Sequence, residues 1–447
     1  MSTSQLKASV CAAIDCSRDE IYALADDFLY HPELGFRETW TAARVERAFR
    51  DLDLQYRRGL ALTGVKACLN PASSGPNVAL LGELDSVLVP EHPFADPMTG
   101  AAHACGHHLQ LAAMVGAGMG LVRSGVLPYL AGRVFLFAVP AEEYVEVEYR
   151  LDLARQGKIE LLSGKSELIR LGEFDDVDVA LMVHATTDPS DRRVAVHASS
   201  NGLVAKQVQY QGRAAHAGAA PWDGVNALNA AHVALAAIHA QRETFRDEDS
   251  VRVHPIITKG GSLVNVVPDD VRIETYARGK NAEAILDAVA KVDRALRAGA
   301  VAVGCPVRIQ TVPGYLPLHN DPTLAALFRR NMLEFIAEDD FVEGGHFGAS
   351  TDMGDLSHIM PSLHPMIGAA AGRLHGKDFL VTDPEHGYLN SAKALAMTVV
   401  DLLADGAGEA RRLLSSFQPK MTKEGYLRFV RELASVEEFD GASIGRR

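Results

Sequence analysis

The chain has 447 residues, 47% of them hydrophobic and 23% charged, which are globular averages that exclude collagen-like, coiled-coil and disordered architectures. Its 57 acids against 44 bases give a formal charge of −13, the wrong sign for a nucleic-acid surface. No apolar run reaches the ~18 residues needed to span a bilayer. The N-terminus, MSTSQLKASVCAAIDCSRDE, has no basic segment leading into an apolar one, so no secretory signal is expected. The five cysteines, Cys11, Cys16, Cys68, Cys105 and Cys305, are odd in number and scattered, as reduced thiols in a cytoplasmic protein are.

In chain order, the pattern predicts a helix over Ile21–Tyr30, a turn at His31–Gly35 and a helix over Thr39–Leu52. Three apolar strands follow: Val78–Leu84 entering Asp85, Val134–Val139 entering Pro140, and Val177–Val183 entering His184. Leu109–Arg123, apolar and small, lies between the first two as a packed helix. Alternating strands and helices indicate a mostly parallel sheet. From Ser199 the pattern changes to strand Val204–Tyr210, helix Val225–Gln241, strands Val251–Thr258 and Val271–Ala277, helix Ala282–Ala302 and strand Val307–Val312. That βαββαβ order is the ferredoxin-like unit. The expected plan is a discontinuous α/β catalytic domain over residues 1–197 and 315–447, with an inserted lid and dimerisation domain over 198–314. A frayed tail is expected from Asp440 to Arg447.

Each predicted strand of the first part runs into ionisable residues: Glu83 and Asp85, then Glu142 and Glu143, then His184. Active sites of open parallel sheets lie at those ends. His103-Ala104-Cys105-Gly106-His107-His108 opens the helix between them, and imidazoles with a thiol suit zinc and its neighbours. Gly106 lets the backbone bend so that Cys105 and His107 can face one point. Glu142 and Glu143 are neighbours on an extended chain and so point to opposite sides; one can ligate a metal while the other takes a proton from water. Gly116-Ala117-Gly118-Met119-Gly120 imitates a dinucleotide fingerprint, but it lies inside a helix and does not follow a strand, so close packing is its reading.

Assembled, these residues resemble metallopeptidase family twenty, in its aminoacylase/hippurate-hydrolase branch. Within it, the chain is similar to p-aminobenzoyl-glutamate hydrolase B subunits and β-alanyl-lysine (Xaa-Arg) dipeptidases. The resemblance spans nearly the whole chain, through His31–Phe36, the HACGH and PAEE segments, Gly212–Pro221, Gly260-Gly261 with Asn265–Pro268, Ser350–Ser357 and Leu374-His375. It implies a zinc-peptidase-like catalytic domain carrying two divalent ions, Zn or Mn first and Co or Ni next. Cys105 would bridge them, with His107, Glu143, His184 and His375 completing the shells. Glu142 would be the general base and Asp85 a residue that orients a ligand. His216 would reach a partner subunit's site and stabilise the oxyanion, and Asn265 with Arg278 would clamp a substrate carboxylate. The implied reaction is hydrolysis of the amide of an N-acyl or aryl-acyl amino acid or dipeptide by a homodimer or larger homo-oligomer, with no nucleic acid or membrane as partner. The alternatives are a carbamoyl or amidine hydrolase, or a silent metal-binding protein; all expected ligands and Glu142 are present, which speaks against the last. Departures from the family pattern are His108 in place of Asp or Asn, Ala185-Thr186 after His184, and the acidic Tyr144–Tyr149 stretch, which reads either as pocket lining or as a solvated surface segment.

Overall fold

Uninterrupted apolar runs bounded by turn residues can only be buried strands, and the computed structural model, which describes residues 1–444, places them at the centre of the first of two units. That unit holds residues 1–199, 319–346 and 355–423. Helices α1 (Thr3–Cys16), α2 (Arg18–Leu29) and α3 (Thr39–Asp51) precede a hairpin of β1 (Gln55–Leu60) and β2 (Gly64–Cys68). Neither α1 nor the hairpin was expected, although Leu6, Val10 and Ile14 bury one face of α1 and Ser2 with Gln5 forms a capping box at its start. β3 (Asn77–Glu83) is buried throughout and pairs in parallel with β4 (Arg133–Val139), from Asn77↔Arg133 to Glu83↔Val139. β5 (Val179–Leu181) pairs in parallel with the other side of β3. The sheet order is β1-β2-β4-β3-β5 followed by Ser362–Leu363, with β1 and β2 antiparallel and the rest parallel. The mostly parallel sheet expected from the sequence is therefore present.

Helix α4 (His107–Arg123) is buried at every position from His107 to Leu121. Its glycines provide close packing: a Cβ on Gly118 would stand 2.4 Å from Leu136 Cδ1 in the sheet. α5 (Val147–Arg155) and α6 (Gly164–Leu171) follow β4. The Tyr144–Tyr149 stretch is not a solvated segment, since Tyr144 and Val147 are buried.

The second unit holds residues 200–318, 347–354 and the chain from 424. β6 (Gly202–Gln211), α7 (Ala227–Ala240), β7 (Arg252–Lys259), β8 (Asp270–Gly279), α8 (Ala282–Val303) and β9 (Pro306–Pro313) form an antiparallel sheet in the order β7-β8-β6-β9, with a core of Val208, Tyr210, Val271, Ile273 and Leu296 against the helices. This is the ferredoxin-like arrangement. Two expectations need correction. The C-terminal stretch does not all stay with the first unit: β10 (Ser435–Asp440) adds to β9 in antiparallel register, Thr311↔Ser435 to Pro306↔Asp440. The tail expected to fray from Asp440 is tied down by this strand and by a 3-10 turn over Gly441–Ser443; residues 445–447 lie outside the described chain. The alanine face of α7 is also not free for a partner, because Ala227, Ala230, Ala231 and Ala234 are buried in the unit's own core.

Candidate metal centre

The strand ends of the first unit deliver the expected residues to one place. Gly106 sits at φ 89°, where a Cβ would stand 2.6 Å from Ala185 Cβ; this turn aims Cys105 and His107 from either side of the α4 start. The Cys105 sulfur lies 3.4 Å from His184 Nε2 and 3.3 Å from His375 Nε2. Glu143 Oε1 is 3.1 Å from His375 Nε2 and 4.0 Å from His107 Nε2. Ligand atoms of Cys105, His107 and His184 converge, as do those of Cys105, Glu143 and His375, and the sulfur is common to both groups. Burial and Glu143 raise the Cys105 pKa, but His184, His375 and a hydrogen bond from His107 outweigh them and bring it down to about 6.

His107 is oriented by Asp85. Its Nδ1 lies 2.8 Å from the Asp85 carbonyl oxygen; a carbonyl only accepts, so Nδ1 carries the proton and Nε2 presents its lone pair. Asp85 also accepts the Glu143 N–H through Oδ2 at 2.8 Å, so it fixes two of the nominated ligands. His107 Nε2 is fully buried and makes no well-directed hydrogen bond. A buried lone pair beside a thiol, two further imidazoles and a carboxylate is the donor set of a soft or borderline divalent cation, so the residues present fit the metal that the family resemblance implies.

The two adjacent glutamates do not diverge as an extended chain would require. Ala141 stands at φ 52° and turns the chain after Pro140, so Glu142 Oε2 comes to 3.9 Å from His107 Nε2, next to Glu143 Oε1. Two buried charges that the sequence pattern does not single out hold this turn. Glu38 Oε1 accepts the Ala141 N–H at 2.7 Å. Arg150, 1% exposed, donates to the carbonyls of Ala141 at 3.1 Å, Val145 at 3.0 Å and Leu162 at 2.6 Å, and also to that of Glu143. Burial, followed by the Asp85 charge, pushes the Glu38 carboxyl up to about 7. An acid just before a predicted helix was the available signal for Glu38; nothing local marked Arg150.

His108, in the position of the usual Asp or Asn, turns away from the ligand set. Its ring packs 5.4 Å from that of His103 and 6.2 Å from that of Tyr388, and burial, then His107 and His92, push its pKa down to about 3. Ala185 packs against Gly106, and Thr186 donates to buried Asp191 at 2.6 Å.

In the second unit, His216 is exposed, and its Nδ1 accepts the N–H groups of Gly218 at 3.2 Å and Ala219 at 3.0 Å, so the neutral ring carries its proton on Nε2. Asn265 is its neighbour, the Ala217 N–H donating to the Asn265 carbonyl at 2.9 Å. Arg278 is elsewhere. Asn265 lies in the turn beyond Lys259, which pairs with Arg272, whereas Arg278 pairs with Arg252 at the far end of the same two strands. Six residues of strand separate the two ends, ~20 Å at about 3.3 Å per residue. The expectation that Asn265 and Arg278 clamp one carboxylate within a chain is therefore corrected: their spacing of thirteen spans a hairpin arm and brings nothing together. Arg278 instead stands 3.5 Å from Ser350 Oγ, over the Tyr276 ring, in a cavity of about 530 Å³ that Arg252 and His254 also line.

Residues 199–303 match the peptidase dimerisation domain of the M20 family. The Xaa-Arg dipeptidase of Mus musculus is 30% identical over 425 residues, 89% of each chain. One of the chains of the p-aminobenzoyl-glutamate hydrolase of Escherichia coli is 31% identical over 229 residues, 48% of each. Among solved structures, a dinuclear metal-binding peptidase of the M20 family from Bacillus subtilis superposes with a TM-score of 0.64 at 20% identity, over 87% of this chain and 99% of the other; at that identity it speaks for the fold. With the thiol–imidazole–carboxylate cluster at the strand ends, these likenesses define a metal-dependent hydrolase with a catalytic and a dimerisation domain. The chain belongs to the M20 peptidase family, in its aminoacylase/hippurate-hydrolase branch.

Proposed function

We propose that the protein hydrolyses the amide bond of an N-acyl or aryl-acyl amino acid or a dipeptide, using two divalent ions, Zn or Mn first and Co or Ni next. The observation that carries this reading is the Cys105 sulfur midway between His184 and His375, with His107 and Glu143 closing the two groups around it. Two ions held there supply Lewis acidity to the scissile carbonyl and the attacking water. Glu142 takes the proton of that water and returns it to the leaving amine. Asp85 keeps His107 in the tautomer that offers Nε2 outward. His216, its Nδ1 occupied by backbone N–H groups, donates from Nε2 to the oxyanion of a partner subunit's site, and Asn265 travels with it.

The pairing surface is the free edge of β7 and the turn after it, where Ile256, Ile257, Leu263 and Val264 are exposed; an edge strand bearing apolar residues is a template for a second copy. The odd, scattered, unpaired cysteines favour the cytoplasm; among the described residues, no helix is long and apolar enough to cross a membrane. Arg278 alone takes the substrate's free carboxylate. The likeness to Xaa-Arg dipeptidase makes a dipeptide with a basic C-terminal residue the first compound to assay. The test compares kcat/KM for an N-acyl amino acid with that for its C-terminal amide. Wild type should prefer the acid about ten- to a hundredfold, the worth of a charge-assisted hydrogen bond, and Arg278→Ala should erase the preference. Equal rates on both compounds in wild type would refute the carboxylate contact.

A further inference from the structure

His107 Nε2 has a fourth neighbour to which the two-metal reading gives no role. Glu83, at the C-terminal end of β3, is completely buried, and its Oε2 lies 3.1 Å from that nitrogen, nearer than either Glu142 or Glu143. The carboxylate is held on its other sides. Lys165, from the first turn of α6 and itself 0% exposed, places Nζ 2.5 Å from Oε1. Gln110, one turn into α4, donates to Oε2 at 2.9 Å and accepts the Glu83 N–H at 3.1 Å. Burial raises the Glu83 pKa, but Lys165, His107 and His184 pull it far below the ordinary range.

An ionised oxygen and a bare imidazole nitrogen repel each other when their lone pairs converge, unless a cation stands between them. Ligand bonds of 2.0–2.2 Å place two donors of one ion about 3–3.5 Å apart, and the observed separation falls in that range. The amide of Gln110 occupies one lone pair of Oε2 and leaves another for the ion. Glu83, His107 and Glu142 also form a third convergent group of ligand atoms, separate from the two that share the sulfur. We propose that Glu83 is a ligand of the divalent cation that His107 holds, fixed in place by Lys165 and Gln110. The inference rests on the metal-centre reading above but not on the identity of the substrate.

The test titrates chelator-treated, full-length protein with Zn²⁺ alone in a calorimeter, and with Co²⁺ alone under visible absorption. His107→Ala identifies the binding event that belongs to the His107 ion. Glu83→Gln should weaken that same event about tenfold to a hundredfold, leave any other event within threefold, and move the d–d bands of the Co²⁺ form. Glu83→Gln strands the buried Lys165, so the double variant Glu83→Gln/Lys165→Met is titrated beside it. A ligand role predicts that the double variant stays weak; a purely structural ion pair predicts that it recovers wild-type affinity, which would overturn the proposal, as would wild-type affinity in Glu83→Gln itself. If wild type binds a single ion, the two-metal reading fails, while the comparison with His107→Ala still decides the role of Glu83. No event lost in His107→Ala would overturn both.

Discussion

Cys105 shows how far a side chain's chemistry depends on what surrounds it. The other four cysteines have no imidazole within reach, and burial raises the pKa of Cys11 and Cys305 to about 11. Burial and Glu143 act on Cys105 in the same direction, yet two imidazoles and a hydrogen bond from a third hold it near 6. In metal-free protein it is therefore a thiolate at neutral pH, and its reactivity should rise as pH increases through about 6 and level off above. With metal bound, the same sulfur is ligated and unreactive. Alkylation followed by peptide mapping should label Cys105 only after chelation, with that pH midpoint. Equal labelling of metal-loaded and metal-free protein would mean that Cys105 is a structural thiol.

At the scale of elements, the centre is a set of strand ends whose loops are clamped from behind. The turn Pro140–Val145 carries Glu142 and Glu143, and Arg150 of α5 gathers four carbonyls around it. Arg150→Met should cost ~3 kcal/mol or more, because buried carbonyls lose their only charged donor. Lysine, with a compact ammonium in place of a planar fork, should not restore it. Urea unfolding and metal retention both read this; wild-type behaviour of Arg150→Lys would show that charge alone suffices. The strand ends themselves were legible in the sequence, because apolar runs entering Asp85, Pro140 and His184 announce both the sheet and its active edge. The hairpin of β1 and β2 was not, because β1 (QYRRGL) is largely exposed and polar. β10 escaped for the same reason, as SVEEFD is an exposed strand whose charges suit an outer edge. Lys165 and Arg150 left no local signature: the partner of one is 82 residues away, and those of the other are backbone oxygens. The thirteen-residue spacing of Asn265 and Arg278 misled because sequence distance across an antiparallel hairpin separates residues that the same distance in a helix would bring nearer.

For the whole molecule, His216 and Asn265 sit together at one end of the β7–β8 hairpin and Arg278 at the other. A single chain cannot bring all three to one carbonyl, so a complete site draws the first two from a second copy. Mixing inactive Glu142→Gln with inactive His216→Ala chains should restore part of the activity, since one site of each heterodimer regains both groups; no recovery after confirmed subunit exchange would place His216 in its own subunit or outside the chemistry. The most direct test of the whole account is stepwise metal return to chelated enzyme, reading bound metal and N-acyl amino acid hydrolysis on the same samples. The predicted result is no turnover without metal and full turnover only as the second equivalent per chain binds. Full activity in metal-free protein, or a plateau at one equivalent, would contradict it.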